Sequence, residues 1–133
     1  MDRYQPARNG ISVLITDDAT IQQLNQEWRG LDHPTDVLSW PAPEVPGNHL
    51  GDICISLDTA RAQAESRGDT VENEVALLGI HGGLHLLGFD DETDHDREEM
   101  LARMLEVAIA AGLNMAPEWS SLPHGEEDHA GRA

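Results

Sequence analysis

The sequence predicts a small α+β fold: a mixed sheet covered by helices, with a metal-binding helix at its centre. Three observations lead there. Short apolar runs rich in β-branched residues recur at 11–15, 37–40 and 50–56, as strands require. Between and after them lie segments bounded by capping residues and glycines, as helices require. One of those segments, ending at Leu86, is apolar on nearly all sides and carries two histidines one helical turn apart.

The elements follow in order. Ile11 to Ile15 is the first strand, and Thr16-Asp17-Asp18 supplies N-caps for a helix with apolar positions at Ile21, Leu24 and Trp28. Gly30 ends that helix. Val37 to Trp40 is a strand, followed by the Pro-rich loop 41–47, and Leu50 to Ser56 is apolar enough to be central in a mostly buried sheet. Asp58 is expected to cap a helix running to Arg67 and closed by Gly68. Asp69 or Thr70 opens the buried central helix, through Val71, Val75 and Leu78 to Leu86, and Gly88 stops it. Thr93 with Asp96 resembles a capping box. It opens a last helix whose apolar stripe is Met100, Leu101, Met104, Leu105, Ala108 and Ile109. After Ala116 the periodicity is lost. Residues 1–116 therefore read as one domain and 117–133 as an acidic tail without fixed structure.

Composition narrows the function. A chain of 133 residues can bury roughly two-thirds of its unfolded surface, enough for one core. Its eight basic residues are all Arg and face 25 acidic ones, for a net charge of −17. That excludes a nucleic-acid binder of the basic-patch kind, though not an enzyme that meets nucleic acid through one local site. Cys54, the only cysteine, lies in the apolar run Ile53-Cys54-Ile55 and reads as a buried, unreactive thiol. The first ten residues hold no apolar stretch of signal-peptide type, and no run approaches the roughly 18 apolar residues of a membrane span. A cytoplasmic protein without membrane association is expected.

The chemistry is concentrated between His81 and Asp91, HGGLHLLGFDD. Histidines at i and i+4 share one helix face and can hold a single metal ion. Gly88, three residues on, lets the chain leave the helix and double back, so Asp91 can swing in as a third ligand. His95, four residues further, is the rival for that position and falls in the first turn of the next helix. Three protein ligands with an open fourth position describe a catalytic zinc site rather than a structural one. Gly82 and Gly83 each cost about 1 kcal/mol against Ala in a helix and call for a packing reason. The spacing is zincin-like with one omission. Metalloproteases carry Glu directly after the first His as general base, and here that residue is Gly82. Peptidase activity is thereby disfavoured.

Four motifs in order, Leu24-Asn25 with Trp28-Arg29-Gly30, Pro34 to Trp40, Leu50 to Ser56, and His81 to Asp91, resemble the YbeY-type endoribonucleases, bacterial ribosomal RNA maturation factors. The resemblance runs from Ile11 to Leu113. It implies a zinc-dependent, single-strand-specific RNA hydrolase with one Zn2+ per chain, acting on small-subunit ribosomal RNA precursor and in ribosome quality control. Ribosomal small-subunit proteins and an assembly GTPase are the implied partners. It also implies that Arg29 is the essential arginine beside the metal cleft, where a guanidinium fork would stabilise charge building on a phosphate. The family pattern has His where this chain has Asp91, so the implied ligand set becomes His81, His85 and Asp91. Asp36 and Asp52 read as shaping the cleft or ordering Arg29. Trp40 and Phe89 read as core, or as cleft-rim aromatics able to stack a base. Two other functions fit the same residues: a metal-dependent hydrolase of another substrate, and a ribosome-assembly binding factor whose metal is structural.

Overall fold

The computed structural model describes residues 10–41, 49–117 and 119–120. The elements, in chain order, are β1 (Gly10–Thr16), α1 (Asp18–Arg29), β2 (Val37–Pro41), β3 (His49–Ser56), α2 (Leu57–Arg67), α3 (Val71–Leu86) and α4 (Asp94–Ala111). This is the expected order within a residue or two at each end. The Pro-rich loop beyond Pro41 lies outside the described residues.

β3 is the central strand, with β1 parallel on one side and β2 antiparallel on the other. Side chains alternate across it. Ile53 and Ile55 join Val37 under α3, in a core completed by Ala60, Leu77, Leu78, Met100, Met104 and Ala108. Cys54 points the other way, with Leu38, against Ile21 of α1. Each fully buried Leu, Ile or Met contributes about 1.5–3 kcal/mol. Cys54 behaves as expected: it is buried, and burial pushes its thiol up to about 11.

Local chemistry sets the helix ends. Asp17 caps α1 by accepting from the Thr20 N–H (2.8 Å), and Gly30 closes it at φ 72°. Thr70 caps α3 and Thr93 caps α4, each accepting from the amide three residues on. The expected Asp58 cap is corrected. Ser56 caps α2, while the Asp58 carboxylate accepts from the Asp18 N–H (3.0 Å) across to α1. Asp18 in turn accepts from the Ser56 and Thr59 hydroxyls, so the two helix N-termini are tied together.

Burial departs from the periodicity in four places. Trp28 is 67% exposed, lying edge-on to Trp40 with ring centroids 6.5 Å apart. The α4 stripe narrows to Met100, Met104 and Ala108, a single row that meets α3, and Leu105 and Ile109 are exposed. The sheet is less buried than expected, because β1 is an edge strand with Ile11, Val13, Leu14 and Ile15 exposed. Finally, packing continues past Ala116, since Trp119 is only 3% exposed. The rest of the expected tail, 121–133, lies outside the described residues.

Two features position α3. A Cβ on Gly51 would stand 2.3 Å from the Trp40 carbonyl oxygen and 2.7 Å from Leu86 Cδ2, and one on Gly82 would stand 3.1 Å from Ile53. Gly51 lets β2 and the Leu86 side chain of α3 close in on β3, and Gly82 lets the helix lie directly on the Ile53 side chain. The other feature is Glu74, fully buried in the first turn of α3. It accepts both Arg67 Nη1 contacts (3.1 and 2.9 Å) and the Trp119 indole N–H (3.2 Å). Burial raises its carboxyl above the usual carboxylate range, against the lowering effects of Trp119 and Arg67.

Two stability measurements follow. Gly51→Ala is expected to cost about 1–3 kcal/mol or more by overpacking, read from denaturant midpoints; an unchanged midpoint would show that α3 need not approach so closely. Arg67→Met strips the buried carboxylate of its ion-pair partner and is expected to cost about 3 kcal/mol at pH 8. A carboxyl whose folded pKa is raised destabilises the fold above that pKa and not below the unfolded value. The loss should therefore shrink towards pH 4–5, and an equal loss at both pH values would exonerate Glu74.

Candidate metal centre

His81, in the last third of α3, is buried and His85 is half-buried one turn on. Their Nε2 atoms stand 3.1 Å apart, with the rings nearly perpendicular at 82°. Two nitrogens bound to one zinc at about 2.0–2.1 Å in a tetrahedron lie roughly 3.3 Å apart. The pair thus already converges on a single point.

The helix ends so as to bring in the third group. Leu87 and Gly88 donate back to carbonyls of the last turn, and the Phe89 N–H reaches the Leu84 carbonyl (3.0 Å). Gly88 takes φ 103°, a conformation that side-chain-bearing residues rarely adopt. The chain reverses there, and Phe89 packs its ring back against the main core. Asp91 follows, half-buried, and one ligand atom from each of His81, His85 and Asp91 lies within 4.8 Å of the others. His95 is exposed in the first turn of α4 and is not part of this cluster. Two neutral imidazoles and one carboxylate are a donor set that suits zinc and other divalent transition metals, so these three residues could hold a metal ion. Gly82 has the packing reason that its place in a buried helix demands, whereas a Cβ at Gly83 would meet nothing within 4 Å.

Arg29, the last residue of α1, is half-buried. α1 packs on the face of the sheet opposite α3, and the two helices finish at the same end of it. Trp28, beside Arg29, touches Trp40, and the Trp40 carbonyl and Leu86, the residue after His85, both crowd Gly51. Asp36 is fully buried; its carboxylate accepts from the Val37 N–H (2.8 Å) and from Gln63 Nε2 (3.3 Å), tying the start of β2 to α2. Asp52 is exposed on β3. A cavity of about 210 Å³ beside the turn is lined by Leu87, Gly88, Phe89, Asp90, Asp96 and Glu99; its carboxylates would repel a phosphate.

One group was not legible beforehand. The Trp119 ring lies against His81, centroids 5.7 Å apart and tilted by 59°. No spacing rule connects these residues. The only sequence hint is Glu74, one of two Glu residues in the first turn of α3, which reads equally well as a helix-dipole partner.

Comparison with known proteins adds the relationship. The family model for endoribonuclease YbeY matches residues 2–112. A Thermus thermophilus protein named endoribonuclease YbeY is 51% identical over 103 residues, covering 74% of this chain and 73% of the relative. A Bradyrhizobium diazoefficiens protein of the same name is 40% identical over 121 residues, covering 85% of this chain; the match spans only 65% of that relative's length. Among solved structures, a Thermotoga maritima protein determined in solution superposes with a TM-score of 0.51 at 28% identity, over 83% of this chain and 78% of that one.

The ligand set can be checked with Co2+ as an optical probe. The chain is expected to bind about one equivalent, as three protein ligands with an open position predict, and His85→Ala is expected to abolish binding. Asp91→Ala should weaken it far more than His95→Ala. The reverse order would move the third ligand to the start of α4.

Proposed function

The chain belongs to the endoribonuclease YbeY family, and on that premise we propose that it is a metal-dependent, single-strand-specific endoribonuclease. In this reading it matures small-subunit ribosomal RNA in the cytoplasm, serves ribosome quality control, and holds one zinc ion on His81, His85 and Asp91. The observation that carries the proposal is the convergence of those three donors within 4.8 Å, at the end of α3. Zinc, when bound, supplies Lewis acidity towards water and phosphoryl oxygen.

The chain's own residues supply the rest. His81 and His85 are fixed by a helix pressed onto the sheet, so the donor set is preorganised. Arg29 contacts the scissile phosphate through its planar fork and stabilises the charge that builds there. A net charge of −17 opposes any long-range capture of RNA. Recognition therefore rests on short-range contacts at this one end of the sheet, and small-subunit ribosomal proteins or an assembly GTPase deliver the substrate. No helix among the described residues is long and apolar enough to cross a membrane. The name shared by the relatives favours an enzyme over a binding factor with a purely structural metal.

Cleavage of a single-stranded RNA oligonucleotide, with and without chelator, tests the activity: chelation should stop it and added zinc restore it. Arg29→Ala is expected to keep metal content and thermal stability while lowering kcat by about 10²–10³. Full activity in that variant, or early melting with normal turnover, would make Arg29 structural.

A further inference from the structure

The segment after α4 does not drift away. Leu113 donates to the Ala108 carbonyl, and Asn114 pairs reciprocally with Asn73 of α3: its N–H donates to Oδ1 (2.9 Å), and Asn73 Nδ2 donates to its carbonyl (2.8 Å). Residues 113–117 with 119–120 thus form a strap across α3. Three contacts lock its far end. The Trp119 indole N–H donates to buried Glu74, the Arg67 guanidinium lies 5.1 Å from the Trp119 ring centroid, and Arg67 Nη2 donates to the Ser120 carbonyl. The Trp119 ring also lies against the His81 ring, tilted by 59° with centroids 5.7 Å apart. The family model ends at residue 112, so this anchor lies outside what the relatives share by that measure.

We propose that Trp119 is a positioning residue for the metal centre: the strap presses its indole against His81 and holds that imidazole in the orientation in which it shares one point with His85. The inference rests on the metal-site reading above. An imidazole on a helix has two side-chain torsions to fix, and a ligand left free to rotate loses affinity through the freedom it must surrender on binding. Second-sphere partners that orient a ligating His typically govern metal affinity by 10–100-fold. Those partners are usually hydrogen-bond acceptors. Here a ring held from three sides, by Glu74, Arg67 and its own buried position, does the orienting by shape.

The test compares Trp119→Ala, Trp119→Phe and Met104→Ala, the last a core truncation in α4 that destabilises while leaving every hydrogen bond of the strap in place. Each is characterised metal-free by NMR of the His81 ring protons, and then by Co2+ titration with its visible absorption spectrum. Trp119→Ala is expected to shift and broaden the His81 ring signals, weaken Co2+ binding about 10–100-fold and change the Co2+ band shape. Trp119→Phe keeps a ring over His81 and should restore most of the affinity. Met104→Ala should match the parent in both readouts at a comparably lowered Tm. If Trp119→Ala leaves the His81 signals unchanged, or weakens Co2+ no more than Met104→Ala does, the strap is structural only and the proposal fails. If the parent chain binds no Co2+ while its His81 signals still depend on Trp119, the metal reading fails and the positioning stands.

Discussion

The closeness of α3 to the sheet is the constraint on which the rest depends. At Gly51 there is no room for even a methyl group between the Trp40 carbonyl and Leu86, and at Gly82 the helix backbone comes down on Ile53. Two missing side chains therefore set the height and rotation of the helix that carries both histidines. Once that height is fixed, the Gly88 reversal carries Asp91 back to the same place, and α4 lays Met100, Met104 and Ala108 on the helix's outer side. The donors converge because the helix is seated so closely on the sheet, at Gly82 beside His81 and at Leu86 beside His85.

That economy matters for a chain so rich in carboxylates. Negative charge spread over the surface favours solubility and disfavours contact with a polyanion. Any attraction for phosphate must then be short-ranged and built into one place. α1 and α3 both finish at one end of the sheet, Trp28 against Trp40 and Leu86 against Gly51. The buried Glu74 shows the opposite use of charge. Taken out of water and bonded by Arg67 and Trp119, it fixes the geometry of three segments at once.

Much of this was written locally enough to read. The order of all seven elements, the cap at Thr93, the capping stretches 16–18 and 69–70, the stop at Gly88 and the grouping of His81, His85 and Asp91 each depend on residues within a turn or two of one another. The misses depend on distant partners. Asp58 has the chemistry of a cap, but Asp18 of α1 draws it away and leaves Ser56 the task. Trp28 follows the apolar spacing of α1, yet it meets Trp40 edge-on at the sheet's end and stays 67% exposed. Trp119 sits in a stretch without periodicity, and nothing near it announces that Glu74 and Arg67 await it.

The strand order has a consequence for how the protein is made. β1 and β2 both pair with β3 and not with each other, so no part of the sheet exists until β3 has left the ribosome. Val13 must wait for Ile53, its partner in register. Until then the nascent chain carries an apolar strand with both of its hydrogen-bonding edges open, the condition under which strands mispair with other chains. β2 and β3 can then zip locally as an antiparallel hairpin, whereas joining β1 to β3 waits on closure of the long stretch between them.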